Sequence, residues 1–252
     1  MYHCYMCDRT IEKFKSNSQV IPRCLFSPVK IDGKMVAIDN TLKENKFSSK
    51  ELVGDFICVE CEQKTRKDDA FAKEFFIDRK YLENKFDLNK FPIKYIEKFN
   101  LNCFINFKLF ITSIILRHYC YQKIINGKEL IPNLHLVEIR NIYQIKDTKQ
   151  ITNKYPLLIW KQADLEREIY YQNHRRHDGK NALDMFLLGY RIHMLIDKRH
   201  SVCDKSRIFC ISDHSFVCFA IHRITKLHND LWKNITNNDT IGKLKNIIDT
   251  SK

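Results

Sequence analysis

Four cysteines in two close pairs carry the clearest chemical specification in this chain. Cys4-Tyr5-Met6-Cys7 and Cys58-Val59-Glu60-Cys61 are both C-x2-C, with residues 8 to 57 between them. A C-x2-C turn brings two thiolates to one ion, and two such turns complete the tetrahedral shell of a closed structural zinc. The expectation is therefore one Zn2+ held by Cys4, Cys7, Cys58 and Cys61. Val53 to Ile57 reads as a strand running into Cys58, which places Cys61 in the first turn of a following helix, where the helix dipole favours thiolate. Because the free energy of binding the ion becomes folding free energy, Cys58→Ser is expected to unfold the N-terminal unit.

A second concentration of reactive side chains is Asn173-His174-Arg175-Arg176-His177-Asp178. Imidazole can exchange protons near neutral pH and guanidinium grips phosphate, so His174, His177 and Asp178 are candidate catalytic groups and Arg175 and Arg176 candidate phosphate contacts. Arg23 is a third phosphate candidate. The same composition also suits a hydrophilic loop. His200, Cys203, Cys210 and His214 are ligand-type residues whose spacing matches no zinc finger; a second metal stays open there, against the simpler reading of Cys210 and Cys218 as buried thiols on apolar strands. No Gly-rich phosphate loop, Gly-x-Ser-x-Gly elbow or His-Glu-x-x-His motif occurs, which argues against nucleotide hydrolysis by those routes.

The charge balance points to polyanions. Lys and Arg number 43 against 30 Asp and Glu, a formal net charge of +13 that favours nucleic acid or an acidic surface. The basic residues are spread along the chain, so a merely solvated surface is the competing explanation. The start Met1-Tyr2-His3-Cys4 lacks the pattern of a signal peptide, and a cytoplasmic chain is expected. In that compartment its 10 cysteines suit metal binding and buried thiols better than disulfides. The most apolar stretch, Phe104 to Leu116, is interrupted by Asn106 and Lys108 and falls short of the roughly 20 apolar residues a membrane helix needs. It reads as a core helix, and no membrane partner is expected.

The elements that must position these groups divide into an N-terminal zinc unit, residues 1–80, and a larger α+β domain, residues 81–252. In the first, Gln19 to Leu25 and Met35 to Ile38 read as short strands with a turn at Asp32-Gly33-Lys34. Asn40 to Lys50 reads as a loop, and Ala70, Phe71, Glu74, Phe75 and Phe76 suggest a helix after Cys61. In the second, a buried central helix spans about 102–125 and stops at Asn126-Gly127. Leu134, Leu136, Ile139 and Ile142 read as strand-like with one slip, and Leu157 to Tyr171 as a helix. Gly189 to Ile196 reads as a strand; Arg207 to Ser212 and Phe216 to Ile221 read as a hairpin turning at Asp213-His214. Ile241, Leu244, Ile247 and Ile248 mark a terminal helix capped by Asp239 or Thr240.

These residues together resemble the HNH-like, treble-clef proteins of bacterial restriction and phage-defence systems. The resemblance rests on Ser18-Gln19-Val20-Ile21-Pro22-Arg23 after the first cysteine pair, then Ile57-Cys58-Val59-Glu60-Cys61-Glu62, then Asp69 and Phe71-Ala72-Lys73-Glu74-Phe75. The helical run Phe107 to Arg117 extends it, to about half of the chain. It implies a treble-clef fold and nucleic-acid chemistry, with a histidine of the first strand as general base and a divalent metal at the scissile phosphate. Gln19 stands where that histidine would be, and an amide cannot accept and return a proton. Glu62 and Asp69 are possible ligands for Mg2+ or Mn2+, or else an exposed helix face; His3 and His118 are the nearest substitute imidazoles, neither in a matching context. The expectation is a zinc-bound protein that binds DNA or RNA and is silent at the HNH position. The alternatives are a divergent metal-dependent nuclease using His174 or His177, and an adaptor for a protein encoded by a neighbouring gene.

Overall fold

A computed structural model describes residues 1–29, 37–38, 44–45, 52–78, 80, 101–129, 131, 133–146, 154–155, 157–161, 169–177, 180–196, 210–211 and 219–220. The chain is α+β, with a cluster of four cysteines near its N-terminus. Strands β1 (Tyr2–Cys4) and β2 (Arg9–Ile11) form an antiparallel ribbon with Tyr2 opposite Ile11. Its turn is closed by Asp8, whose φ of 60° is left-handed and whose N–H reaches the Cys4 carbonyl at 2.8 Å. Strand β3 (Ser18–Gln19) pairs with β6 (Val53–Gly54). The expected strand from Gln19 to Leu25 is thus cut short: Pro22 cannot donate to a ladder, its carbonyl accepts from Leu25 N–H at 3.0 Å, and Arg23–Val29 winds as a 3-10 helix that buries Leu25 and Phe26. Strand β4 (Ala37–Ile38) falls inside the expected strand and pairs with β5 (Glu44–Asn45), within the stretch read as loop. The turn at Asp32-Gly33-Lys34 lies outside the described residues.

Helix α1 (Val59–Ala72) begins at the second cysteine pair and continues as a π turn over Lys73–Ile77. Its buried side carries Cys61, Thr65, Asp68, Phe71 and Ala72, followed by Phe75 and Phe76. Helix α2 (Leu101–Ile125) is enclosed nearly all round, as its apolar residues anticipate. It ends in a left-handed turn at Gly127, φ 64°, where the Lys128 N–H returns 2.9 Å to the Gln122 carbonyl.

Two segments fold as the opposite element to the one expected. The segment read as a strand beyond Pro132 is helix α3 (Asn133–Ile145). Leu136, Ile139, Arg140 and Tyr143 are buried while Val137 and Ile145 are exposed, a spacing of three and four; the apparent slip in a two-residue alternation was the 3.6-residue period. The segment read as a helix from Leu157 to Tyr171 instead gives β7 (Leu157–Lys161) and the start of β8 (Ile169–His177). Leu157-Leu158-Ile159-Trp160 is a short unbroken apolar run, which suits a strand in a covered sheet.

Strands β8, β9 (Lys180–Leu187), β10 (Tyr190–Leu195) and β7 form successive antiparallel pairs in a six-stranded sheet, which β11 (Cys210–Ile211) and β12 (Phe219–Ala220) complete by pairing with β7; its order is β11-β7-β10-β9-β8 with β12 off this path. β9 and β10 turn through Leu188 and Gly189, φ 49° and 86°, the paired left-handed residues of a type I′ hairpin. The expected strand from Gly189 therefore starts one residue later. Cys210–Ile211 (β11) and Phe219–Ala220 (β12) fall in the two C-terminal strands expected, but not as a hairpin: β11 pairs antiparallel and β12 parallel with β7. The expected terminal helix lies outside the described residues. No described helix is long and apolar enough to cross a membrane. One buried apolar cluster runs from Cys4 to Ile196, and Phe75 is at its junction, its ring 5.0 Å from Phe107 of α2 and 5.5 Å from Tyr190 of β10.

Candidate metal centre and its surroundings

The β1–β2 turn and the start of α1 bring the four cysteine sulphurs within 4.8 Å of one another. Cys4 and Cys61 sulphurs are 3.9 Å apart and those of Cys7 and Cys58 are 3.8 Å apart. A disulfide needs about 2.05 Å, whereas four sulphurs about 2.3 Å from one ion are about 3.8 Å apart along each tetrahedral edge. The four cysteines can therefore hold a metal ion. A tetrahedral four-thiolate shell suits zinc or iron.

Donors already surround the sulphurs. The Cys58 N–H points at Cys4 Sγ and the Cys61 N–H at Cys58 Sγ, each at 3.4 Å, because Cys58 is the N-cap of α1. Arg9 Nε donates to Cys7 Sγ at 3.4 Å, and its guanidinium also meets Glu60. The hydrogen bond from Cys61 draws the Cys4 thiol down to about 4, while the same contact and burial push Cys61 upward. Burial likewise raises Cys58. A cation among the sulphurs would relieve this mutual opposition of charge.

Helix α3 holds the metal turn from outside. Arg140 Nε donates to the Tyr5 carbonyl at 2.9 Å and its terminal nitrogen lies 2.7 Å from Asp8. One turn later Gln144 donates to the Met6 carbonyl at 3.1 Å and accepts from Lys64 of α1 at 2.7 Å. His3 lies 3.0 Å from Asp8 on the exposed side of this turn.

At the strand where the resemblance implies a general base, Arg117 of α2 organises the polar groups. Only 1% exposed, it donates to both Asp69 oxygens at 2.8 and 3.2 Å, to the Gln19 carbonyl at 3.3 Å and to Ser113 at 3.1 Å. Asp69 is thus half-buried and ion-paired rather than part of a plain exposed face. Glu62 is half-buried too, with one carboxylate oxygen enclosed. Among the described residues the four cysteines are the one group of three or more ligand-type side chains close enough to share an ion. His118 is buried in α2 beside Gln122, 3.2 Å away, and burial drives it down to about 4. Asp68 accepts from Tyr143 at 2.5 Å, joining α1 to α3.

Arg23 is exposed at the start of the 3-10 helix. Asn173 to His177 belong to β8, not to a loop: Ile169-Tyr170-Tyr171 begins the strand, and a bulge between Gln172 and Arg175 lets it continue, with Arg175 opposite Ala182 and His177 opposite Lys180. Asp178, His200, Cys203 and His214 lie outside the described residues; Cys210 is on β11.

Sequence reasoning missed a buried charge cluster on the neighbouring hairpin. Asp184 of β9 is fully enclosed, with His193 Nε2 at 2.8 Å and Arg191 at 2.9 Å. Although burial opposes its charge, His193 and Arg191 hold its carboxyl down at about 2. The signal was the Leu188-Gly189 turn: folding β9 and β10 about it puts Asp184 opposite His193. Compared with protein families, curated proteins and solved structures, the chain matches none.

Proposed function

We propose that this chain is a zinc-bound nucleic-acid-binding protein of HNH-like, treble-clef type, silent at the Gln19 position and working in the cytoplasm within a bacterial defence or toxin-like system. The observation that carries the silence is the Arg117–Asp69 pair against the Gln19 carbonyl. A nuclease of this type needs a proton acceptor and free carboxylate ligands there. Here the strand offers an amide, and the carboxylate of Asp69, which shares Arg117 with the Gln19 carbonyl, is paired with that buried guanidinium. The treble-clef assignment is supported by the order of a cysteine turn on a ribbon, a short β3–β6 pair, and a second cysteine turn opening a helix. The nucleic-acid assignment is supported by the charge of +13.

The test is an assay of metal-quantified protein against single- and double-stranded DNA and RNA, with and without Mg2+ or Mn2+. The expected result is binding that weakens steeply with salt, because phosphate contacts release counterions, and no cleavage. Absence of binding at low salt overturns the reading.

One observation favours a second reading, a divergent nuclease on the sheet. The β8 strand that carries His174 and His177 has Gln172 in register with Asp184, the carboxylate already paired with His193. That reading requires cleavage dependent on Mg2+ or Mn2+ and lost in His174→Ala or His177→Ala.

A further inference from the structure

The outward face of α1 bears a pattern of which the surroundings of the metal centre use only Lys64, which donates to Gln144 at 2.7 Å. Gln63, Lys64, Arg66, Lys67, Ala70 and Lys73 are all exposed. At about 100° per residue, Gln63 and Ala70, seven positions apart, fall almost on one line along the helix. Arg66 and Lys73 lie on one side of that line, and Lys64 and Lys67 on the other. The outer surface is therefore a ridge of a side-chain amide and a methyl, flanked by two rows of cations. Arg66, Lys67 and Lys73 form no ion pair among the described residues; of the acidic neighbours, Glu60, Asp69 and Glu74 are occupied by Arg9, Arg117 and Lys80, and Glu62, one turn before Arg66, is half-buried with one oxygen enclosed. From Gln63 to Lys73 the ridge is about 15 Å long, matching about four phosphates of each DNA strand at about 3.4 Å of axial rise apiece.

We propose that α1 is the DNA-contacting helix, lying in the major groove of duplex DNA with Gln63 and Ala70 towards the base edges and the two cation rows on the phosphates of either wall. The inference rests on the nucleic-acid reading above and supplies its surface and substrate class. B-form DNA admits an α-helix to its major groove, and glutamine and alanine are suited to adenine and the thymine methyl there. The deep, narrow major groove of A-form RNA excludes such a helix, so duplex DNA is the partner the arrangement fits. The rigid seat needed for a reading helix is present: α1 is anchored at its N-terminus by Cys58 and Cys61 and along its inner side by Phe71 and Phe75.

The experiment measures binding of the metal-loaded full chain to a random-sequence 24-base-pair DNA duplex and to the same sequence as RNA duplex, over a salt series. Two triple variants are compared: Arg66→Gln/Lys67→Gln/Lys73→Gln on α1, and Lys13→Gln/Lys15→Gln/Lys128→Gln, which removes equal charge from other elements. Circular dichroism and metal content verify that both fold. The expected result is tighter binding of DNA than RNA by the wild type. For the α1 variant, affinity falls on the order of a hundredfold at 0.1 M salt and the salt slope shrinks by about 2.7, at about 0.9 per phosphate contact; the control stays near wild type. If the wild type binds no nucleic acid, the functional reading itself falls. If it binds but the α1 variant matches wild type, or the control loses as much, the placement on α1 is overturned. Equal binding of the RNA duplex overturns the groove docking.

Discussion

Arg140 of α3 donates through Nε to the main-chain carbonyl of Tyr5, 2.9 Å away, inside the turn that presents Cys4 and Cys7. Gln144 repeats the contact one helical turn later at Met6. Both carbonyls are offered to α3 only while the cysteine turn holds its shape, so an ion held by the four cysteines would be coupled to the seating of α3 through the backbone between Cys4 and Cys7.

Metal removal is therefore expected to loosen two places distant in sequence. Elemental analysis should find one zinc per chain. Stripping it with a strong chelator, or making Cys58→Ser, should accelerate amide hydrogen exchange in β1, β2 and α3 together. Exchange in α3 that stays unchanged while the ribbon opens would refute the coupling. Arg140→Ala in the metal-loaded protein should cost about 2 kcal/mol, the scale for leaving buried hydrogen-bonding groups unsatisfied.

The Arg117–Asp69 pair makes a sharper test, because one partner is almost wholly buried. Asp69→Asn strands the buried guanidinium and should destabilise by about 3–5 kcal/mol in urea unfolding, whereas Arg117→Met leaves a carboxylate that is 28% exposed and should cost less. The double change Arg117→Met/Asp69→Leu should recover a large part of that loss, since an apolar pair has no desolvated charge. Gln19→His on the wild-type background should produce no Mg2+- or Mn2+-dependent cleavage, as Asp69 stays bound to Arg117. Cleavage by that variant would remove the proposed reason for silence.

Local signals explain what was legible in the sequence. The cysteine pairs, the helix opening at Cys61, the central helix and the strand after Gly189 were each marked by a motif or period complete within one segment. α3 and β7 were misread because four or five apolar residues fit a strand and a helix equally well, and only the faces they bury distinguish the two. The polar clusters were harder still. Arg117 and Asp69 touch in the fold but stand 48 residues apart in sequence on different helices, and nothing near either residue announces the other. Asp184 and His193 required knowing which two residues form the hairpin turn.

Two buried groups give the stability a pH dependence with separate windows. His118 ordinarily titrates at 6.5 and is driven by burial to about 4. The unfolded chain takes up that proton below 6.5 and the folded chain does not, so stability falls as pH drops from 6.5 towards 4, by up to about 3 kcal/mol. Asp184, whose ordinary value is 3.8, is held at about 2. Its contribution is present above 3.8 and is lost as pH falls from there to about 2. Acid also releases metal from thiolates, so the informative quantity is the difference between wild type and His118→Gln, in which the metal's part cancels. That difference should change between pH 6.5 and 4 and be flat above 7; a flat difference throughout would mean His118 is not buried in its neutral form.

Phe75 decides whether the metal-bearing segment and the sheet unfold as one. Its ring is fully buried, and it meets Phe71 and Phe76 on its own segment, Phe107 on α2 and Tyr190 on β10. Truncation to alanine removes those contacts and leaves a cavity between three elements, and Phe75→Ala should cost about 3–5 kcal/mol. Phe75→Leu, which keeps most of the volume, should cost markedly less. Because the same ring supports both sides of the junction, tryptophan fluorescence in a Trp232→Phe background, which leaves Trp160 on β7 as the reporter, and the visible absorption of a Co2+-substituted cysteine site should shift to lower denaturant together and by the same amount. If the metal signal moves and the tryptophan signal does not, residues 1–80 unfold as a unit of their own, and the buried cluster at Phe75 is a contact between domains and not a shared core.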